Sequence, residues 1–123
     1  MDDKATIGRL KREVISFRDE RNWQKFHDPK NLSMALSVES SELQELFLWK
    51  SEDQIGELLL SESGGRRVRE ELADIFIYLL YISERCGIDL SDAVLDKIKI
   101  NSKKYPVDKS YDSNRKYTEF GSE

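Results

Sequence analysis

Cysteine, proline and glycine are scarce in this chain. Its 123 residues include one Cys, two Pro and six Gly, which excludes a disulfide-stapled miniprotein and a collagen-like repeat. Two Trp, five Tyr and five Phe exclude a disordered tail, which has few aromatic residues to bury. Cys86 stands alone and cannot form an internal bridge, as suits a reducing compartment. Long hydrophobic runs are also missing. The longest, Ile75 to Ile82, covers eight residues, against the roughly 20 that a bilayer-spanning helix needs. The opening Met1-Asp2-Asp3-Lys4-Ala5 lacks the basic-then-apolar order of a secretory signal, so the expected location is cytoplasmic. Nor is there a cationic excess. Twenty Lys+Arg against 24 Asp+Glu leave a net charge of −4, which argues against binding a nucleic acid polymer.

What the chain does have is charge and helical periodicity. Charged residues make up 36% and apolar ones 38%, enough for one domain with a thin core that a second copy of the chain would complete. Apolar residues recur every three or four positions nearly throughout, with no alternating strand pattern. The spacing predicts a first helix over 3–22, carrying Ile7, Leu10, Val14 and Phe17. The segment 22–30 breaks the pattern. A second helix is expected over 31–50, and a short third one after Ser51, where Ser51 and Gln54 form a capping-box signature. Ser63-Gly64-Gly65 reads as a stop. A fourth helix over 66–86 is closed by Gly87, and a fifth runs from Asp89 or Ser91 to just before Pro106. The expected fold is all-α, a helical bundle of four main helices plus a short one, completed by oligomerisation. One domain over 1–106 is followed by a polar tail over 107–123, expected to be flexible.

Four acids stand in apolar surroundings. On the second helix, Ala35, Glu39, Glu42, Leu46 and Trp49 form one stripe and Leu32, Leu36, Glu39, Leu43 and Leu46 its neighbour, which places Glu39 and Glu42 within the apolar face. On the fourth, Asp74 is the one charged residue between Leu72 and Ile82, and Glu71 precedes it by three. Each helix thus carries an acidic pair at i, i+3, and the segment 43–70 is long enough to let the two helices pack side by side. Facing carboxylates repel and drift toward protonation unless a cation gathers them. Arginines are one solution and a divalent ion is the other. All-oxygen ligands suit Mg²⁺, or Mn²⁺, over zinc or copper, and a di-iron site lacks its Glu-x-x-His motifs because the only histidine, His27, falls in a predicted loop.

Mg²⁺ on carboxylates completes its shell with waters and substrate phosphates, so the pattern points to phosphate chemistry, and no Gly-rich phosphate loop is present to offer another route. Lys97, Asn101 and Lys104 share one face of the fifth helix, suited to phosphate and sugar contacts or to plain solvation. Trp23 and Trp49, at element ends, offer faces for a planar base or fill core space. Phe17, Phe26 and Phe47 read as core, and Cys86 as a buried or half-buried structural thiol.

Together these residues resemble a known family. Phe17-Arg18-Asp19-Glu20-Arg21-Asn22-Trp23, Phe26-His27 and Pro29-x-Asn31-Leu32 look like the opening of the all-α MazG-like nucleotide pyrophosphohydrolases, in the dCTP pyrophosphatase branch. The match continues through Glu39-x-x-Glu42-Leu43-x-Glu45-Leu46-Phe47-x-Trp49-Lys50 and Glu70-Glu71-Leu72-Ala73-Asp74-Ile75. It ends on Arg85-Cys86-Gly87-Ile88-Asp89-Leu90 and Lys97-x-x-x-Asn101-x-x-Lys104-Tyr105-Pro106. The resemblance implies Mg²⁺-dependent hydrolysis of a nucleoside triphosphate, dCTP or a modified cytosine nucleotide first among them, to monophosphate and pyrophosphate, a house-cleaning role. It implies Glu39, Glu42, Glu71 and Asp74 as metal ligands, with Glu39 or Glu42 helping to deprotonate the attacking water. It puts Trp23, Trp49 and His27 at the base, and Lys97, Asn101, Tyr105 and Arg85 at sugar and phosphates. It also implies a dimer or tetramer whose sites are lined by more than one chain. Two departures stand out. Val38 replaces the leading Glu of the broader E-E-x-x-E motif, and Val14 stands where some dCTP-directed members have a histidine. The alternative reading is a non-catalytic oligomerisation or nucleotide-sensing module whose acids pair with Arg66, Arg67, Arg69 or Arg85.

Overall fold

The structure, a computed structural model, describes residues 1–121. It is all-α, with no strand among the described residues: α1 Ile7–Glu20, α2 Pro29–Phe47, α3 Glu52–Leu60, α4 Glu62–Cys86, α5 Leu90–Lys104 and a short α6 Val107–Ser110, with 3₁₀ turns at Gln24–Phe26 and Tyr117–Glu119. The chain divides into two compact units, the first ending at Ile88 and the second beginning at Asp89.

Local chemistry sets the helix ends. Thr6 caps α1, its hydroxyl accepting from the Arg9 N–H, so this helix starts four residues later than the periodicity predicts. α2 starts two residues earlier than expected. Pro29 occupies the first turn, where its missing N–H is no loss, and the Asp28 carboxylate caps the helix by accepting from the Asn31 N–H at 2.7 Å. The Ser51/Gln54 capping box is present as predicted, with both reciprocal hydrogen bonds formed. Gly87 closes α4 in the left-handed conformation at φ 65°, which a glycine adopts without Cβ strain.

The expected stop at Ser63-Gly64-Gly65 is not one. α4 begins at Glu62, and Ser61 serves both as the last cap of α3 and as the first cap of α4, its hydroxyl accepting from the Gly64 N–H. The glycines are there for close approach. A Cβ on Gly64 would collide with the Leu58 carbonyl oxygen, and one on Gly65 would come within 2.9 Å of the Leu59 carbonyl oxygen.

In the first unit α4 is the hub, with α1, α2 and α3 all packed on it. Its core is small: Leu32, Leu46, Val68, Leu80 and Tyr81. The Arg18 side chain, 2% exposed, ties α1 to α4, reaching Asp19 and Glu84 at 2.9 Å each. Burial pulls its guanidinium toward deprotonation, but the two carboxylates outweigh that and its pKa rises. Several residues read as core are not buried. Phe17 and Phe26 are 47% and 59% exposed, and Cys86 is an exposed free thiol. Leu72, Phe76 and Leu79 likewise leave one side of α4 open, so α4 is less enclosed than its apolar run predicts. In the second unit, Tyr105 meets the rings of Tyr117 and Phe120 edge-on, both at 5.9 Å.

Two of the helical glycines, Gly64 and Gly56, differ in a way that tests this packing. Gly64→Ala is expected to destabilise the fold by about 1–3 kcal/mol. Gly56→Ala, in open space inside α3, is expected to stabilise it by about 0.5–1 kcal/mol. Denaturant unfolding of both variants measures the difference, and two equal effects would contradict it.

Candidate active site

The packing of α2 on α4 brings three of the four acids together. Ligand oxygens of Glu39, Glu42 and Glu71 lie within 4.8 Å of one another. Asp74, one turn beyond Glu71, is outside that trio yet close enough for its charge to act on Glu39. The surroundings differ from a uniformly apolar face: Glu39 and Glu71 are half-buried, while Glu42 and Asp74 are exposed. Glu39 is the most perturbed of the four. Burial first, then hydrogen bonding with Glu71 and Glu42 and repulsion by Glu42 and Asp74, push its pKa up to about 7. Glu39 Oε2 and Glu71 Oε2 are buried and have no hydrogen-bond partner.

No arginine relieves this repulsion. Among the described residues, no ion pair reaches any of the four acids. Arg85 instead donates from Nε to the His27 carbonyl oxygen at 3.0 Å. The Arg-paired network of the alternative reading is therefore absent from the described residues. Orphaned buried carboxylate oxygens and an all-oxygen donor set fit a hard divalent cation.

Beside the acids lies a cavity of about 450 Å³. Glu39 and Asp74 form part of its wall, and Phe17, Trp23, Tyr78 and Tyr81 supply much of the rest. Phe17 and Trp23 meet edge-on at 5.9 Å, with the Arg21 guanidinium 3.6 Å from the Phe17 ring centre. The Tyr81 hydroxyl donates to the Val14 carbonyl oxygen at 2.9 Å, and the His27 ring packs edge-on against Tyr81 at 4.8 Å. Burial, and then the positive charge of Arg18, lower the His27 pKa. Its Nδ1 is buried without a partner. Burial and the neighbouring Glu39, Asp74 and Glu42 raise the Tyr78 phenol.

Of the residues expected at the substrate, Trp23 and His27 line this cavity. Trp49, just past α2, is 92% exposed, with a left-handed backbone at φ 61°. Arg85 borders a separate polar depression with Asn22, Gln24, Lys25 and Asp28. Lys97 and Asn101 are exposed on α5 in the second unit, and Tyr105 follows that helix. Glu13, Tyr78 and Tyr81 escaped the sequence reading. For the tyrosines a signal existed: they follow Asp74 by four and seven residues, on the same side of α4.

A helical scaffold that gathers unpaired carboxylates beside an aromatic-walled cavity defines a class of carboxylate-centred all-α proteins. The MazG-like family model matches residues 34–120. The chain is 42% identical over 116 residues to human dCTP pyrophosphatase 1, covering 94% of this chain and 68% of that one. It is 40% identical to the mouse dCTP pyrophosphatase 1, with the same coverage. A crystal structure of a pyrophosphatase from Archaeoglobus fulgidus superposes with a TM-score of 0.72 at 42% identity, over 79% of this chain and 89% of that one. The chain belongs to the MazG-like family.

A raised carboxyl pKa means that the folded protein holds the Glu39 proton more tightly than the unfolded one. That stabilisation is complete below about 4.5 and is lost as pH rises through about 7. Cation-free protein is therefore expected to melt at progressively lower temperature from about pH 5 to about pH 8, with Mg²⁺ or Mn²⁺ restoring stability at the upper end and doing little at the lower. Glu39→Gln should flatten this trend. Thermal scans across pH, with and without cation, check it, and a wild-type profile equally flat would contradict it.

Proposed function

We propose that this nucleoside triphosphate pyrophosphohydrolase converts a deoxynucleoside triphosphate, dCTP or a modified cytosine nucleotide, to the monophosphate and pyrophosphate with Mg²⁺, or Mn²⁺, as its cation. The observation that carries this reading is the unpaired trio Glu39, Glu42 and Glu71, with two orphaned buried oxygens, beside an aromatic-walled cavity. The names of the dCTP pyrophosphatase 1 relatives support the substrate class.

Glu39, Glu42, Glu71 and Asp74 hold the cation in this reading. Bound there, it supplies charge neutralisation on the phosphates and a lowered pKa for water. Glu39 or Glu42 accepts a proton from the water that attacks the α-phosphorus. Trp23, His27 and Trp49 take the base, while Lys97, Asn101, Tyr105 and Arg85 take the sugar and phosphates. Positioning and electrostatics supply most of the rate in such displacements.

The working form we propose is a dimer or tetramer. Leu72, Phe76 and Leu79 make an open apolar stripe on α4, Met34 and Val38 another on α2, and the first unit buries only five apolar side chains. Exposed apolar stripes are surfaces on which protein–protein contacts form, and that supports self-association. We place the domain at 1–106, with 107–123 as its tail, and the protein's house-cleaning role in the cytoplasm. No helix of the described residues is long and apolar enough to cross a membrane.

Pyrophosphate release from dCTP with Mg²⁺ tests the reading. Glu42→Gln and Asp74→Asn change exposed side chains, so both variants should fold, and both should lose at least about a hundredfold in kcat. Near-normal turnover in both would reject the assignment.

A further inference from the structure

We infer that Glu13 selects the base: its carboxylate favours nucleotides carrying an exocyclic amine at the base edge and disfavours those presenting a carbonyl oxygen there. This rests on the pyrophosphohydrolase reading above and adds a residue to it. Three carboxylates line the cavity, Glu13, Glu39 and Asp74. Glu39 and Asp74 come from α2 and α4 and belong to the acidic centre. Glu13 comes from α1, on a wall otherwise built from Val14, Phe17 and Trp23.

Arg9, one turn earlier, holds Glu13 Oε1 from its Nε at 3.1 Å. That contact restrains the carboxylate and offsets part of its charge through Oε1, and a carboxylate has further lone pairs on its second oxygen with which to accept. Burial and Arg18 disfavour the charged form of His27, and the cations beside this wall are Arg9, paired with Glu13, and Arg21, over the Phe17 ring.

An ionised carboxylate only accepts hydrogen bonds. Glutamate accepts from the 4-amino group of cytosine, and the 6-amino group of adenine is a donor of the same kind. Uracil and thymine present a carbonyl oxygen at the corresponding position, which meets the carboxylate lone pair to lone pair. A site that hydrogen-bonds one edge rejects the analogue lacking the donor, since its own polar group is then left unpaired. The Glu13 side chain is 60% exposed; water therefore moderates the discrimination, and about tenfold to a hundredfold is the expected range. Val14, the neighbouring wall residue, has no polar side-chain group for the task.

The test compares kcat/KM for dCTP, dATP, dUTP and dTTP, with Mg²⁺, in the wild type, Glu13→Gln and Glu13→Leu. The wild type should prefer the amine-bearing nucleotides, and its dCTP-to-dUTP ratio should fall about tenfold or more in both variants. The glutamine amide rotates to donate to a carbonyl, and leucine does neither. A loss of fold or of the acidic centre would lower all four substrates alike and leave the ratio intact. A ratio preserved in both variants while hydrolysis continues overturns the role of Glu13 alone. A wild type that releases pyrophosphate from none of the four overturns the pyrophosphohydrolase reading and this inference with it.

Discussion

Carboxylates that cannot escape one another govern this molecule. The seam between α2 and α4 brings Glu39, Glu42 and Glu71 within a few ångströms and leaves two of their oxygens buried without partners. Burial and neighbouring negative charge both favour the proton, which is why the Glu39 carboxyl approaches a neutral pKa. Near neutral pH the seam is in conflict with its own charge, and in the proposed function a hard cation is what resolves that conflict. Arginine, the other common remedy, forms no ion pair with these acids among the described residues. Arg18 is buried against Glu84 and Asp19, and Arg85 reaches a backbone carbonyl.

The rest of the first unit serves to hold that seam in place beside an apolar wall. α4 packs against three helices at once, and the Arg18 clamp fixes the α1 side of the cavity. The Tyr81 hydroxyl bond to Val14 and the edge-on His27–Tyr81 contact brace the same wall. Aromatic surface and clustered acidic oxygens thus meet at Glu39, which belongs to both; in the proposed function the first takes a planar base and the second a cation. This adjacency links the fold to hydrolysis of a nucleotide anhydride.

Much of this was legible in the sequence because helical spacing is rigid. Acids three apart in apolar stretches of two helices can meet at one seam once the helices pack, and Glu39, Glu42 and Glu71 do, with Asp74 beyond them. The helices themselves were visible in their periodicity and their caps, Ser51 with Gln54 and Gly87 above all. Gly64-Gly65 misled, since glycine marks a chain reversal and a tight helix approach equally well, and only the Leu58 and Leu59 carbonyls tell them apart. Phe17 and Phe26 read as core in the sequence because aromatic residues usually are, yet the first unit is too thin to bury them. Glu13 gave no signal. A single acid beside Arg9 on a charged helix resembles any solvated pair, and its place on the cavity wall depends on how α1 meets α4.

Direct cation binding tests the central claim best. Mn²⁺ titrated into the protein without nucleotide, followed by electron paramagnetic resonance, reports free and bound ion separately. The account predicts saturable binding by the wild type at about pH 8 that is lost in a Glu39→Gln, Glu71→Gln double variant which still folds. Binding of equal strength in that variant, or none in the wild type, would contradict it.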